Sequence, residues 1–218
     1  MSKTEKAISW MEATAKNNKH GYDQIFRWGQ KGDYDCSGAV ITAWTKAGVK
    51  VKKKVTKTVA GKKQVIPGAS YTGNMKRALL AHGFVDVTKS VNLATGEGLV
   101  RGDVLLKEGH HTAMYCGDGK EVEASINEKG AAKGGKPGDQ TRREFLIRSY
   151  RSNYPWNVVL RYKEAGTSTP SGKTIDQVAK EVIQGKWGSG DARRIKLTAA
   201  GYDYRVVQNK VNRLLKKK

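Results

Sequence analysis

The feature that most constrains the fold of this chain is a change of hydrophobic periodicity along its length. Early in the sequence, apolar residues recur at helical spacing, which predicts helices over residues 3–16, 36–47 and 72–83. From Phe84 onward the pattern changes to short segments that predict strands. Helices followed by strands indicate the α+β class, with N-terminal helices packed on an antiparallel sheet.

Five segments carry the strand pattern, and two of them flank a turn signal. Gly117, Asp118 and Gly119 supply that turn. The predicted strands are residues 104–106, 112–116, 121–126, 144–148 and 158–162.

A lysine-rich stretch separates the second and third predicted helices. Residues 46–63 contain eight lysines and no acidic residue, interleaved with Val and Thr. This stretch predicts an exposed hairpin or loop that lies outside any catalytic cleft.

A polar segment divides the chain into two parts. Residues 164–173 are rich in Gly, Ser, Thr and Pro and predict a linker. Beyond it, a capping box from Thr174 to Gln177, a helix stop at Gly201 and a cap at Asp203 predict three short helices in a small bundle. We therefore expect one domain over residues 1–163 and another over residues 174–218.

The charge of the chain restricts its partners. A net charge of +21 over 218 residues selects polyanions such as nucleic acid, an anionic membrane or an anionic cell wall. The lysine-rich stretch has no aromatic residue on which bases could stack, which disfavours nucleic acid. We expect no membrane span, and no signal peptide at the N-terminus, so that synthesis takes place in a host cytoplasm.

Cys36 is the candidate nucleophile of the first domain. It lies where a Gly- and Asp-rich loop meets a predicted helix, in the sequence Asp35-Cys36-Ser37-Gly38. A helix N-terminus favours thiolates, and its free N–H groups stabilise an oxyanion. The alternative is a buried structural cysteine. The other thiol, Cys116, has no assigned role, and two cysteines make neither a disulfide framework nor a zinc site.

His111 and Glu123 complete a candidate triad with Cys36. If the turn between their strands contains three residues, Ala113 faces Glu123, whose side chain then shares a face with His111. A two-residue loop would place Glu123 on the opposite face. On the three-residue register Val122, Ala124 and Ile126 point into the core. The alternatives are a surface histidine and a solvated carboxylate.

These residues resemble the NlpC family of papain-like cell-wall peptidases. The matching strings are Asp35-Cys36-Ser37-Gly38, Gly102-Asp103-Val104, His111-Thr112-Ala113-Met114-Tyr115 and Gly117-Asp118-Gly119-Lys120. Upstream, Gly21-Tyr22-Asp23-Gln24 and Arg27-Trp28-Gly29 are similar to phage lysins of amidase or endopeptidase type.

That resemblance implies roles for individual residues. Cys36 would be the nucleophile, His111 the general base and Glu123 the group that orients it, although family members often have His, Asn or Gln in that place. Tyr22, Asp35 and Ser37 would line the substrate cleft. Packing of the tyrosine, helix capping by the aspartate and a first-turn role for the serine are the alternatives.

The C-terminal part is similar to the cell-wall-binding repeat of certain phage muramidases. The matching strings are Glu181-Val182-Ile183-Gln184-Gly185-Lys186-Trp187-Gly188, Arg193-Arg194, Leu197-Thr198-Ala199-Ala200-Gly201-Tyr202-Asp203-Tyr204, Val207-Gln208 and Val211-Asn212. Trp187, Arg193 and Tyr202 are candidates for contact with the wall, because aromatic faces and guanidinium groups suit sugars and carboxylates. Trp187 and Tyr202 could instead be core residues.

Together these features predict an enzyme that acts on peptidoglycan and needs no metal or cofactor. It would cleave an amide bond, either within the stem peptide or between the muramoyl group and L-alanine. Anionic wall polymers would be further partners by charge. A wall-binding protein without catalytic activity is the alternative from another functional class.

Overall fold

The computed structural model describes residues 1–59, 61–164, 173–202 and 204–215, which form helices and antiparallel sheets. The helices are α1 (Lys3–Ala15), α2 (Cys36–Lys46), α3 (Thr72–Ala81), α4 (Ile175–Ile183), α5 (Gly190–Ala199) and α6 (Tyr204–Leu215). The strands are β1 (Val55–Val59), β2 (Lys62–Ile66), β3 (Phe84–Asp86), β4 (Val104–Lys107), β5 (His111–Gly117), β6 (Lys120–Ala124), β7 (Phe145–Ser149) and β8 (Val158–Tyr162). The α+β expectation is confirmed. Most of the predicted linker, residues 165–172, and the Asp203 cap lie outside the described residues.

Six strands form one antiparallel sheet in the order β3-β8-β4-β5-β6-β7. The last strand, β8, lies between β3 and β4 and pairs with both, which leaves β3 at the edge of the sheet. Helices α1 and α2 pack on each other and on the β5 and β6 side of the sheet. This packing brings the first residue of α2 to the strands that carry the candidate histidine and glutamate.

Capping and apolar spacing explain the two helices that cover the sheet. The Ser2 side chain accepts a hydrogen bond from the Glu5 N–H and so begins α1. Ile8 and Met11 then lie on one face and are completely buried. In α2 the residues with that spacing include Val40 and Trp44, which are also completely buried.

The turn between β5 and β6 differs from the prediction, although Glu123 keeps its predicted face. Met114 pairs with Val122, and Gly117 pairs with Lys120, with a register shift between the two pairs. The loop therefore has two residues, both with positive φ, as in a tight hairpin turn. A bulge at Cys116 absorbs the extra residue and restores the register in which Ala113 lies opposite Glu123.

The predicted core position of Ile126 is wrong. Strand β6 ends at Ala124, and the Ile126 side chain is 43% exposed. Val122 and Ala124 are completely buried, as predicted. Alternation governs burial only while the chain remains paired, and pairing stops two residues before Ile126.

The lysine-rich stretch forms the predicted exposed hairpin only from Val55 onward, because Ala47, Val49 and Val51 near its start are buried. Strands β1 and β2 pair with each other from Val55–Ile66 to Val59–Lys62 and form a separate two-stranded sheet. Most of its described side chains are exposed, apart from Ile66. The short strand β3 was not predicted, because three residues are too few to show alternation.

Three helices are present in the C-terminal part of the chain, as the capping signals predicted. They share one apolar cluster, which is distinct from the clusters around the six-stranded sheet. Its buried members are Val178, Ala179, Val182, Leu197, Tyr202, Val207 and Val211. Among the described residues, no helix combines the length and the apolar character needed to cross a bilayer.

Candidate active site

Cys36 is the first residue of α2 and is nearly buried. Its side chain is 6% exposed. Asp35 caps the helix, and its Oδ1 accepts a hydrogen bond from the Gly38 N–H at 2.6 Å. The capping interpretation of Asp35 is therefore correct. The thiol lies at the positive end of the helix dipole, in the position that the sequence predicted.

His111 links the thiol to a carboxylate. Its Nε2 lies 2.6 Å from Oε2 of Glu123. Burial disfavours the protonated ring, but hydrogen bonds with Cys36 and Glu123 outweigh it and raise the pKa of His111 to about 9. Because Nε2 is engaged by Glu123, Nδ1 is the ring nitrogen that can face the thiol. The structure thus brings together the three residues of the candidate triad.

Glu123 is a completely buried carboxylate with cationic partners. Arg148 donates a hydrogen bond to Oε1 at 3.2 Å, and Arg151 donates one to Oε2. Burial raises the pKa of Glu123, but the bond to His111 and the two arginines overcome this and hold it below its usual value. Glu123 is therefore ionised in the folded protein.

Arg151 joins Glu123 to a second buried carboxylate. Its Nε lies 2.5 Å from Oε1 of Glu121, and that glutamate is also completely buried. Burial raises the pKa of Glu121, while the charge of Arg151 and its hydrogen bond oppose the rise. One guanidinium thus compensates two carboxylates, one of which also binds the histidine.

Two aromatic residues contact the histidine ring. The ring of Trp156 stacks on His111 with centroids 5.9 Å apart and an interplanar angle of 22°, and Tyr154 lies edge-on at 5.6 Å. The Arg151 guanidinium lies over both aromatic rings, 4.5 Å from the centroid of Tyr154 and 5.4 Å from that of Trp156. These contacts restrict the imidazole to the orientation that reaches Glu123.

The residues that flank Cys36 bind an arginine. Arg27 Nε lies 2.7 Å from Oδ2 of Asp35, and its Nη2 donates to the Ser37 hydroxyl at 2.5 Å. That hydroxyl donates to Oδ1 of Asp35 at 3.1 Å. Both side chains assigned to the cleft are thus buried and already hydrogen-bonded within the protein.

Tyr22 lies close enough to Cys36 for their charges to interact. Burial and the charge of Cys36 raise the pKa of Tyr22 to about 12, so the hydroxyl stays protonated and able to donate. Its loop is held by Asp33, whose Oδ1 accepts hydrogen bonds from the Gly21 N–H at 2.8 Å and the Gly138 N–H at 2.9 Å. A Cβ at Gly21 would lie 2.2 Å from the Gly138 oxygen, so this contact requires glycine.

The three residues assigned to wall contact occupy different environments. Tyr202 is 5% exposed and belongs to the apolar cluster, and its hydroxyl donates to the Lys173 carbonyl at 3.2 Å. Trp187 is partly buried against it, edge-on at 5.9 Å, and donates to Glu181 at 3.0 Å. Arg193 is partly exposed and donates to the Gln208 side-chain oxygen at 3.1 Å. For Tyr202 the core interpretation is correct.

Sequence reasoning missed five residues around the triad. They are Arg27, Arg148, Arg151, Tyr154 and Trp156. The Tyr-Pro-Trp run after β7 was the available signal, since aromatic residues are unusual in a polar loop. In the part of the chain that the structure describes, no group of three or more His, Cys, Asp or Glu side chains is placed to hold a metal ion.

The geometry defines a thiol–imidazole–carboxylate site on an α+β domain. The chain belongs to the Endolysin-like domain family, whose profile matches residues 2–122 and so includes Cys36 and His111. The profile of the CW_7 repeat matches residues 176–215, which contain most of α4 and all of α5 and α6.

The chain is also similar, over a short segment, to a protein of a bacteriophage. The chain is 52% identical to the lysozyme of Streptococcus phage Cp-7 over 42 residues. The match covers 19% of this chain and only 12% of that lysozyme. The two proteins therefore share a short segment, and most of the lysozyme has no counterpart in the match.

Proposed function

We propose that this protein is a peptidoglycan hydrolase of the endolysin type that cleaves an amide bond by a cysteine mechanism. Residues 1–163 would form a papain-like domain of NlpC type that carries the catalytic site. Residues 164–173 would be the linker, and residues 174–218 a three-helix wall-binding bundle. The observation that carries the proposal is His111, which interacts with both the thiol of Cys36 and the buried carboxylate of Glu123.

The first half of the reaction would form a thioester. The Cys36 thiolate attacks the amide carbonyl carbon, and the backbone N–H of Cys36 at the helix start stabilises the oxyanion. The protonated His111 then gives its proton to the amine, which leaves as the C–N bond breaks. Glu123 keeps the imidazole oriented and stabilises its positive charge.

The second half would release the acid and restore the enzyme. Neutral His111 takes a proton from water, and the hydroxide attacks the thioester carbonyl. The C–S bond breaks, and the thiolate and the imidazolium are both regenerated. Over the whole cycle His111 gives one proton to the leaving amine and takes one from water. The reaction therefore needs no cofactor.

The C-terminal helices would hold the enzyme on the wall. The match to the CW_7 repeat supports this role, and Trp187 and Arg193 are the partly exposed groups that would contact the glycan and peptide. Tyr202 would support Trp187 from the core instead of touching the ligand. The net charge of +21 would add attraction to anionic wall polymers, and the site of action would be the bacterial cell wall.

The name of the phage relative raises a second candidate activity, cleavage of the glycan as a muramidase. Glycosidases of that kind need two carboxylates beside the bond that breaks. Here Glu121 and Glu123 are both buried and bound to Arg151, and one of them holds His111. The geometry therefore favours the amide reaction.

Mass spectrometry of the products from purified walls distinguishes these activities. Amide cleavage within the stem creates a new amine and a new carboxylate on peptides, whereas muramoyl–L-alanine cleavage separates peptides from glycan. Muramidase activity would create new reducing sugar ends instead. Cys36→Ala should abolish the amide products, and Cys116→Ala should retain them. New reducing ends that persist in Cys36→Ala would contradict the proposal, as would a protein that binds walls and releases nothing.

A further inference from the structure

We propose that Arg27 and Lys52 form an anion-binding subsite beside Cys36, which receives a carboxylate of the stem peptide. This inference rests on the proposed function and adds the chemical class that the cleft selects. The sequence analysis predicted that the whole lysine-rich stretch lies outside the cleft. In the structure one of its residues, Lys52, lies near Arg27, the arginine that binds Asp35 and Ser37.

The first observation concerns the charge of Asp35. Its carboxylate receives the Gly38 N–H, the Ser37 hydroxyl and the Arg27 guanidinium. A carboxylate that is buried and bound in this way has little capacity left for a cationic group of the substrate. Asp35 balances the charge of Arg27, so the surplus positive charge beside this pair comes from Lys52.

The second observation is a pair of cations on one aromatic ring. Lys52 Nζ lies 3.8 Å from the centroid of the Trp28 ring, and the Arg27 guanidinium carbon lies 4.8 Å from it. Burial and the charge of Arg27 lower the pKa of Lys52. Within the described residues Lys52 has no ion pair, whereas Arg27 is paired with Asp35. A bound anion would relieve this repulsion.

The backbone of Lys52 is held against the loop that contains Gly68 and Ala69. A Cβ at Gly68 would lie 1.9 Å from the Lys52 carbonyl oxygen, and the Ala69 N–H donates to the Val51 carbonyl at 2.8 Å. Val51 is completely buried. Lys52 is therefore fixed to the body of the domain before the exposed hairpin begins at Val55.

The chemistry of the substrate identifies the anion. The D-glutamyl residue of the stem has a free α-carboxylate close to both candidate bonds, whereas in an amidated stem this group is a neutral carboxamide. A carboxylate pairs its negative charge with guanidinium and ammonium groups, whereas a neutral carboxamide offers them only a weaker acceptor oxygen without charge. The subsite should therefore prefer the acidic stem.

The test compares Lys52→Gln with Lys53→Gln on two muropeptides that differ only in carboxylate against carboxamide at that position. The parental enzyme should show a lower KM for the acidic substrate. Lys52→Gln should raise that KM by about three- to tenfold with little change in kcat, and should leave the amidated substrate unaffected. Lys53→Gln removes an equal charge one residue away and should leave the KM for both muropeptides unchanged.

Binding to the Cys36→Ala protein provides a readout that does not depend on turnover. Calorimetry should show tighter binding of the acidic muropeptide, and Cys36→Ala/Lys52→Gln should lose that preference. Equal affinities in both proteins would overturn the subsite, even if the parental enzyme hydrolyses walls. If Lys52→Gln changed only whole-wall lysis and its salt dependence, the anion would be a wall polymer and the inference would also fail. Failure of the proposed function would appear separately, as an absence of amide products.

Discussion

His111 and Glu123 lie on neighbouring strands, with the imidazole Nε2 2.6 Å from a carboxylate oxygen that is shielded from solvent. The buried Glu123 carboxylate remains charged because Arg148 and Arg151 bind it. A charged acceptor in a desolvated place favours the imidazolium form of the ring. The electrostatics of the site therefore depend on residues far from Cys36 in sequence, and this dependence leads to the first two predictions.

Glu123→Gln should move the alkaline limb of the pH–activity profile to lower pH. The carboxylate helps raise the pKa of His111 to about 9, so its removal should let the ring lose its proton earlier. The proposed mechanism needs the protonated ring, and activity on a small muropeptide should also fall about tenfold or more. The exposed Glu97→Gln serves as the charge control. A profile that keeps its alkaline limb would show that Glu123 does not act through His111.

Arg151→Met should destabilise the protein, because it leaves Glu121 and Glu123 without the guanidinium that joins them. Breaking a buried ion pair from one side costs about 3–5 kcal/mol of unfolding free energy. Urea denaturation measures this loss. Adding Glu121→Gln should recover part of it, since one uncompensated carboxylate is then gone. If the double variant were no more stable than Arg151→Met, the two glutamates would not depend on the arginine as the structure indicates.

Alkylation of the native protein should modify Cys36 and spare Cys116. Burial and the charge of Glu12 raise the pKa of Cys116 to about 12, so its unreactive thiol form dominates at neutral pH. Peptide mapping after brief treatment with iodoacetamide identifies the labelled residue, and treatment after denaturation should label both. Loss of activity that followed Cys116 labelling instead would contradict the assigned nucleophile.

The exposed lysines within the β1–β2 hairpin and just before it should affect the rate at which the protein meets the wall and not the chemical step. Lys53, Lys54, Lys57 and Lys63 are exposed, and charges of this kind act over roughly 8 Å at physiological salt. Their combined replacement by Gln should slow whole-cell lysis and flatten its salt dependence, while turnover of a small muropeptide stays near the parental value. An equal loss in both assays would place the hairpin in the cleft.

A chain that ends at Glu164 should fold and retain activity on small muropeptides. It keeps the contact in which the Thr4 N–H donates to a Glu164 side-chain oxygen at 2.5 Å, and the apolar clusters around the sheet use no residue beyond Tyr162. Sedimentation with purified walls should show weaker binding than the full chain. Undiminished sedimentation would remove the targeting role from residues 173–218.

Local patterns were enough to predict the main elements of this protein and the candidate nucleophile. Apolar spacing and an Asp cap placed a helix start at Cys36, and alternation through Val122 and Ala124 placed Glu123 on the face of His111. These signals are local, because helix and strand periods and capping bonds involve residues a few positions apart.

Only the tertiary structure decided how the register is achieved and which charges surround the site. The bulge at Cys116 was invisible because a two-residue turn with a bulge and a three-residue turn give Glu123 the same face. Arg27, Lys52 and Arg151 reach the site through loops, and charged residues in loops carry no periodicity that indicates their partners. Ion pairing between distant segments depends on how the chain packs, so their roles could be read only from the folded protein.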